Sequence, residues 1–440
     1  MALMHFLSIV HFLFIITTRS SSVMASSPVI KAGYYPSWAL DNLPPSAINT
    51  SLLTHVLYAF LVPNNVTFEF NISHSEAAIL SNFTATLHHK NPQVKTLYSI
   101  GGGGIEPNPF APMASTASSR RTFIHATIEV ARKYGFDGID LDWEFPESSK
   151  EMDDFAHLLR EWRHAIQREA RSTNRPPLLL TAAVYYSVGF LTYSSRRSYP
   201  TASIKENLDW INVMCYDYHG SWDTSVTGAH AALFDPKTNL SSIYGLKSWI
   251  KAGVPRRKVV MGLPLYGKTW KLKDPNLHGV GAPAIGVGPG DEGVLVFSEV
   301  EAFNKRTKAN IAYDVDTASV YSFTGTTWVG YDDALSITMK IGFAQALGLR
   351  GYFFWAISYD NEWKVTTQGI LISHRSFKKQ IKQKFHKSFS CLFRFHLALR
   401  FCCLFRFHLA LRFCMLLSVW HCIFHPIFKE EVDNISHSNY

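Results

Sequence analysis

The amino-acid sequence predicts an α/β fold, a (β/α)₈ barrel, from three features. Short apolar runs rich in β-branched and aromatic residues recur eight times along the chain. The segments between most of them are long enough for a helix, and buried strands that alternate with helices are typical of parallel α/β sheets. Eight such repeats indicate a closed barrel, and an open doubly wound sheet is the alternative that the pattern leaves.

The eight predicted strands follow one another in chain order, each bounded by polar or turn-forming residues. They lie at 30–35, 54–61, 95–100, 137–143, 178–184, 209–216, 259–265 and 351–356. Helical patterns at 119–134 and 152–170 lie on either side of the fourth strand. The seventh and eighth strands are about twice as far apart as most neighbours, and the Gly-, Thr- and aromatic-rich stretch between them predicts a small α+β insertion at about 270–328.

Both ends of the chain differ from the predicted barrel, which we expect over residues 26–372. The apolar start has secretory length and a small-residue cleavage pattern, which predicts a signal peptide over 1–25 and secretion to the vacuole or the cell exterior. Its apolar run is too short for a comfortable membrane span, and none is expected. N-x-S/T sites agree with this route and occur at Asn49, Asn65, Asn71, Asn82, Asn239 and Asn434.

The tail at 373–440 contains a perfect tandem repeat, CLFRFHLALRFC, at 391–402 and 403–414. Its alternating basic and apolar residues would suit an amphipathic strand or a membrane-surface segment. We favour the interpretation that this repeat is a recent duplication, or wrongly assigned coding sequence, under little functional constraint. Basic residues every few positions argue against a transmembrane helix.

Charge and cysteine are also concentrated in this tail. It holds 11 Lys/Arg and 3 Asp/Glu of a chain whose formal net charge is +9, so the remainder is nearly neutral and no nucleic-acid partner is expected. Only Cys215 precedes residue 372, which leaves the main domain without an internal disulfide. Because it lies between two inward positions, Cys215 should face the helix layer as a buried apolar residue.

The stretch FDGIDLDWEFP, at the predicted fourth strand, contains four acids within eight consecutive positions. Side chains alternate across a strand, so Asp140, Asp142 and Glu144 share one face. Ile139, Leu141 and Trp143 take the other face and can pack under the helices, while Asp137 has a structural role at the strand's start. The acids therefore point into the barrel, with Glu144 at the carboxyl end where barrel enzymes keep their active sites.

Carboxylates this close cannot all ionise freely, so at least one should hold a proton near neutrality. A protonated acid beside ionised ones is what glycosidic bond cleavage requires. A Ca²⁺ or Mg²⁺ site and a structural acid ladder are the alternatives, but the acids lie on a stiff strand without an accompanying His. We expect no metal and no cofactor.

The acid stretch resembles the DxxDxDxE signature of family-18 glycoside hydrolases, and further motifs follow in that family's order across residues 28–372. The segment from Met214 to Pro236 resembles plant class V chitinases in particular. The other motifs are Gly33-Tyr34-Tyr35, Tyr58-Ala59-Phe60, Ser99-Ile100-Gly101-Gly102, Met214-Cys215-Tyr216-Asp217, Gly262-Leu263-Pro264-Leu265-Tyr266-Gly267 and Trp355. The run Gly101–Gly104 lacks the Gly-Lys-Ser/Thr of a phosphate loop and is interpreted as a place of close backbone approach.

The resemblance implies a substrate-assisted, retaining mechanism. Glu144 would protonate the glycosidic oxygen, and the substrate's own N-acetyl carbonyl oxygen would attack the anomeric carbon. Asp142 would orient the acetamido group and share a proton with Asp140, and Tyr216 would hydrogen-bond the acetamido oxygen. Other matching positions would form the sugar subsite, with Trp355 as its floor, Tyr34 and Phe60 as its walls, and Asp217, Met214 and Tyr266 around it; Trp222 and Trp270 are candidate outer platforms.

The resemblance thus predicts a monomeric, endo-acting chitinase that binds chitin and N-acetylglucosamine oligosaccharides. A chitin-binding lectin on the same barrel is the alternative from another class, although binding-only relatives typically lose the terminal acid or its helpers. A hydrolase of acylated chitooligosaccharide signals is the third hypothesis, which loops would decide.

Overall fold

A computed structural model describes residues 29–105, 108–192 and 195–368. Eight parallel strands close into a barrel, which confirms the predicted (β/α)₈ fold and excludes an open sheet. The strands are β1 (Ile30–Pro36), β2 (His55–Leu61), β3 (Lys95–Gly101), β4 (Gly138–Asp142), β5 (Leu179–Val184), β8 (Trp210–Val213), β9 (Val259–Pro264) and β16 (Gly351–Trp355). Around the barrel they follow the order β1-β16-β9-β8-β5-β4-β3-β2.

Helices cover the outside of the barrel. They are α1 (His74–Lys90), α2 (Phe110–Ser115), α3 (Ala117–Lys133), α4 (Ser149–Thr173), α5 (Thr201–Asn207), α6 (Ser242–Lys251) and α8 (Ala334–Ala346). The helix that follows β4 begins where the side chain of Ser148 accepts a hydrogen bond from Glu151 N, 3.2 Å away. Such N-terminal caps satisfy backbone donors that the helix itself cannot pair.

The alternation along β4 separates acids from apolar residues as the sequence predicts. Ile139 and Leu141 are fully buried, and Trp143 just beyond the strand packs its ring against Phe155 of α4, with 6.2 Å between centroids. Asp140 and Asp142 lie on the inner face, and both are buried. An apolar cluster also packs in the barrel interior, with core residues Ile30, Ala32, Tyr34, Leu57, Ala59, Leu97, Trp210, Val260 and Phe353.

Asp137 lies at the opposite, amino-terminal end of the strand region. Its carboxylate bonds Lys95 Nζ (2.8 Å), Thr96 N (2.9 Å) and His88 Nε2 (2.9 Å). Burial raises its pKa, but these hydrogen bonds outweigh burial and hold the pKa below its ordinary value. Asp137 is therefore an ion that joins α1 and β3 to the start of β4, far from the carboxyl ends of the strands.

Two segments depart from a simple barrel. An antiparallel hairpin, β6 (Gly189–Thr192) with β7 (Ser195–Ser198), follows β5 and was not predicted. The predicted insertion is an antiparallel sheet with one helix, α7 (Phe297–Thr307), and it runs from Tyr266 to Tyr331, so the bounds 270–328 are a few residues too narrow. Its strands are β10 (Tyr266–Leu272), β11 (Ala284–Val287), β12 (Val294–Val296), β13 (Asn310–Asp314), β14 (Ser319–Thr324) and β15 (Thr327–Tyr331).

The predicted signal peptide at 1–25 and the repeat-containing tail at 373–440 lie outside the described residues. Within the described part of the chain, no helix has both the length and the apolar character needed to cross a membrane.

Candidate active site

Asp140 lies at the centre of the barrel, where four strands supply hydrogen-bond donors to its carboxylate. Burial raises its pKa above the ordinary value, and the four donors oppose that effect. Both oxygens accept two bonds, from Tyr34 Oη (2.8 Å) and Ser99 Oγ (2.7 Å) at Oδ2 and from Thr181 Oγ1 (2.5 Å) and Asn212 Nδ2 (3.1 Å) at Oδ1. With every lone-pair direction occupied, Asp140 acts as a fixed acceptor below the cleft.

Asp142 lies one step higher on the same face and has a different environment. Its Oδ1 is buried and has no hydrogen-bond partner among the described residues. Burial raises the pKa of Asp142 well above its ordinary value, and the charges of Glu144 and Asp140 raise it further. Both effects favour the protonated form of this carboxyl over the ionised form.

Glu144 follows two residues after the end of β4 and lines the cleft. Burial raises its pKa to about 7, and the charge of Asp217 adds to the shift, while hydrogen bonds from Asp142 and Gly103 N act in the opposite direction. A carboxyl with this pKa carries a proton at mildly acidic and neutral pH and can release it, which is what a general acid requires.

Glycines at the end of β3 allow this close arrangement. Gly101 and Gly102 have φ of 116° and 98°, in the left-handed region that favours glycine. A Cβ on Gly101 would lie 2.0 Å from the Asp142 carbonyl oxygen, and one on Gly102 would lie 2.6 Å from the Phe60 ring. The Gly102 N–H donates to that same carbonyl at 2.9 Å. The glycine run therefore serves close packing around Asp142.

The segment after β8 places Tyr216 and Asp217 beside these acids. Burial raises the pKa of Tyr216 well above 10, and the charges of Asp142 and Glu144 raise it further, so its hydroxyl remains a donor. Tyr266 Oη donates to Asp217 Oδ1 at 2.8 Å, and Lys268 Nζ lies 3.3 Å from the same oxygen. Burial raises the pKa of Asp217, but the neighbouring His230 and the charge of Lys268 outweigh burial and hold it below its ordinary value.

An aromatic floor lies under the acids at the end of β16. The Trp355 ring stacks on Phe60, with 5.5 Å between centroids and 27° between planes. Tyr34 meets Trp355 edge-on at 5.6 Å, and Trp38 does so at 6.5 Å. Flat aromatic surfaces of this kind bind the apolar faces of rings.

The cleft has a volume of about 840 Å³ and brings most of the predicted site residues together. Two of the predicted residues do not line it: Asp140 lies beneath, and Tyr266 acts through Asp217. The predicted residues that line it are Tyr34, Phe60, Asp142, Glu144, Met214, Tyr216, Asp217 and Trp355. The described lining includes three acids and no Lys, Arg or His, so the cleft suits a neutral ligand rather than an anion.

Trp222 and Trp270 are the two candidate outer platforms from the sequence, and only Trp222 lines the cleft. Trp222 is 62% exposed. The interpretation of Trp270 as a platform is wrong. Its ring is fully buried inside the insertion, where its centroid lies 5.4 Å from that of Trp328, and its Nε1 donates to Asp223 O. Trp38 is 60% exposed beside Trp355 and was not predicted as a site residue, although its place three residues after the Gly33-Tyr34-Tyr35 motif was a usable signal.

Cys215 is buried with 1% exposure, as its alternation with Met214 and Tyr216 predicts. Burial raises the pKa of its thiol to about 12, so it carries no thiolate near neutral pH. Among the described residues there is no group of three or more His, Cys, Asp or Glu side chains that could hold a metal ion.

A family model, Glycosyl hydrolases family 18, matches residues 30–360. The chain belongs to glycosyl hydrolase family 18. Two curated relatives from Medicago truncatula are each 53% identical: a class V chitinase, aligned over 74% of this chain and 86% of the relative, and Nod factor hydrolase protein 1, over 74% and 85%.

Solved structures of the same family superpose on this glycosyl hydrolase. A glutamate-to-glutamine variant of class V chitinase from Nicotiana tobaccum in complex with NAG4 is 37% identical, covers 78% of this chain and 98% of its own, and has a TM-score of 0.74. A chitinase-like agglutinin from Robinia pseudoacacia is 41% identical over 77% and 98%, with a TM-score of 0.71. The family fold thus carries both a chitinase and an agglutinin, so the choice between them depends on the site residues of this chain.

Proposed function

We propose that this glycosyl hydrolase is an endo-acting chitinase that cleaves β-1,4 bonds between N-acetylglucosamine units with retention. The observation that carries this proposal is the state of the three acids in the cleft. The pKa of Asp142 lies well above its ordinary value, the pKa of Glu144 is about 7, and Asp217 is held by Tyr266 and Lys268. None of the three is an unengaged carboxylate with an ordinary pKa, so we assign the role of nucleophile to the substrate's acetamido group.

The reaction then begins with a proton transfer from Glu144 to the glycosidic oxygen. The acetamido carbonyl oxygen attacks the anomeric carbon as the bond to the leaving sugar breaks, which gives an oxazolinium ion. The Tyr216 hydroxyl, kept protonated by its surroundings, hydrogen-bonds the acetamido oxygen and holds it in line for attack. The Trp355 floor supports the sugar ring during this step.

Asp142 orients the acetamido N–H and stabilises the positive charge that develops on it. The sharing of a proton between Asp142 and Asp140 stays a prediction, since no hydrogen bond joins the two in the described residues and Asp140 accepts four other donors. Ionised Glu144 finally takes a proton from water, which opens the ring from the face that the leaving sugar occupied. The product is the β-anomer.

Product analysis tests this proposal. Purified protein is incubated with the N-acetylglucosamine hexamer, and the products are followed by NMR at early times. We expect internal cleavage and β-anomeric new ends. Products with α-anomeric ends would contradict the retaining mechanism, and binding of the hexamer without any cleavage would support a lectin-like protein instead.

Acylated chitooligosaccharide signals are a second candidate substrate, because Nod factor hydrolase protein 1 is as similar in identity as the class V chitinase. A comparison of kcat/KM on an acylated and a non-acylated tetramer distinguishes the two. We expect the non-acylated oligomer to be cleaved at least as well; a strong preference for the acylated one would assign the chain to signal hydrolysis. We further propose that the enzyme is a secreted monomer.

Asp217→Asn is expected to move the alkaline limb of the kcat/KM profile to lower pH. The general acid must be protonated, so activity falls as pH rises through the pKa of Glu144, which is about 7. The charge of Asp217 raises that pKa, so its removal lowers the pKa and shifts the limb downward. Asp235→Asn, at a carboxylate that bonds Thr238 away from the cleft, is the control. An unchanged or upward-shifted limb in Asp217→Asn would contradict this assignment.

A chain that ends near residue 375 is expected to fold and to cleave oligomers at the rate of the full chain. All barrel strands and every residue of the described cleft precede residue 369. Melting temperature and kcat are measured for both chains. A chain that ends near residue 348 is the control and should not fold, because it lacks β16 and leaves the barrel open. An inactive or insoluble product from the longer truncation would show that the tail is part of the working enzyme.

A further inference from the structure

The β6–β7 hairpin carries two adjacent arginines in opposite environments. Arg197 is 3% exposed, whereas Arg196 is exposed to solvent. Alternation along the strand explains the difference, since neighbouring side chains point to opposite faces. A buried guanidinium loses its hydration and destabilises the fold unless it gains specific partners.

The partner of Arg197 is the chain segment that carries Glu144. Its Nη1 donates to the Pro146 carbonyl oxygen at 2.8 Å, in a buried hydrogen bond. Its guanidinium lies 4.7 Å from the centre of the Phe190 ring, within the range of a cation–π interaction. Its Nε has no partner among the described residues, so the bond to Pro146 is the main polar compensation for its burial.

Aromatic rings extend this contact to the wall of the cleft. Phe190 packs on Tyr185 at 4.5 Å and meets Phe145 edge-on at 5.8 Å. Phe145 and Tyr185 both line the cleft, and Phe145 is the neighbour of Glu144. The hairpin therefore contacts both residues that follow Glu144: Phe190 packs on the ring of Phe145, and Arg197 donates to the carbonyl of Pro146.

The segment between β4 and α4 has little regular structure to hold it. β4 ends at Asp142, and the helix is not capped until Ser148. Pro146 has no N–H to donate, so its carbonyl is the only backbone hydrogen-bonding group that it offers. A loose segment here would displace the Glu144 carboxyl, and a misplacement of about 1 Å can lower a rate by about 10²-fold.

We propose that Arg197 is a positioning residue that fixes the Glu144-bearing segment through the Pro146 carbonyl. This inference rests on the proposed role of Glu144 as the general acid. Because Arg197 does not touch the aromatic floor of Trp355 and Phe60, its loss changes the rate of bond cleavage more than the binding of substrate.

The test compares Arg197→Ala with Arg196→Ala, which removes a neighbouring, exposed arginine of the same hairpin. On the N-acetylglucosamine tetramer, we expect Arg197→Ala to lower kcat by about 10–100-fold with KM changed by less than about threefold. Arg196→Ala keeps both constants. Guanidinium chloride at millimolar concentration should raise kcat of Arg197→Ala by filling the vacated site, while an equal concentration of sodium chloride should not.

Two results would overturn the inference. One is a kcat for Arg197→Ala equal to that of Arg196→Ala. The other is a loss of activity that follows a lowered melting temperature, affects KM as much as kcat and does not respond to guanidinium. If Arg197→Ala does not fold, Arg197→Lys takes its place, since lysine keeps the charge and the stem but not the planar fork; a wild-type kcat in that variant would also overturn it. Failure of the wild-type chain and of Arg196→Ala to cleave would refute the proposed function instead.

Discussion

Replacing Glu144 with glutamine is expected to abolish measurable hydrolysis while binding of N-acetylglucosamine oligomers survives. Glutamine has nearly the shape of glutamic acid and matches the neutral form that a pKa of about 7 favours, so the cleft keeps its fit. It has no acidic proton, and general acid catalysis contributes about 10²–10⁴-fold to the rate. The loss therefore falls on kcat.

Calorimetry with the tetramer measures binding, and product analysis over long incubation measures residual cleavage. Glu147→Gln is the matched control, because Glu147 lies three residues along the same segment and is exposed to solvent. It should keep both binding and cleavage. Hydrolysis by Glu144→Gln near the wild-type rate would show that another group protonates the leaving oxygen and that the proposed mechanism is wrong.

Asp142→Asn is expected to lower kcat by about 10²–10³-fold, the effect of removing one preorganised electrostatic group from a reacting centre. The amide can still donate towards Glu144, but it cannot become an anion. The positive charge that develops on the acetamido group then has no carboxylate to stabilise it. KM should change less than kcat, because the aromatic floor and the shape of the cleft are retained.

Asp137→Asn provides the control for this second prediction, since it makes the same chemical change in the same motif. Asp137 binds Lys95, Thr96 and His88 at the opposite end of the strand region. Its substitution should lower the melting temperature and leave kcat unchanged. If Asp142→Asn kept wild-type kcat, or if both variants lost activity only in proportion to lost stability, Asp142 would have no role in the chemical step.

Much of the fold could be predicted from local sequence because a buried parallel strand has a local signature. Each barrel strand lies within a few residues of its predicted position, since β-branched and aromatic runs between helical patterns have few other structures available. The parity of FDGIDLDWEFP also fixes which side chains face inward. Asp140 and Asp142 on one face and Ile139 and Leu141 on the other follow from the two-residue period alone.

The contacts of the β6–β7 hairpin and the exposure of the candidate platform tryptophans could not be predicted in this way. Trp222 and Trp270 are both tryptophans that follow motif residues, yet one is 62% exposed and the other is fully buried. The difference arises because β10 pairs with β15 and brings Trp328, distant in sequence, against Trp270. The burial of Arg197 likewise depends on a hairpin register and on Pro146, about 50 residues earlier.

The sequence by itself determined the barrel, the order of its strands along the chain and the row of acids at the end of the fourth strand. Only the tertiary structure decided how the pKa of each of those acids is shifted. Asp140 meets donors from four strands, Asp142 meets none at its Oδ1, and Glu144 is near the charge of Asp217. A pKa depends on burial and on neighbouring charges, and both are set by parts of the chain that lie far apart in sequence and meet only when the barrel closes.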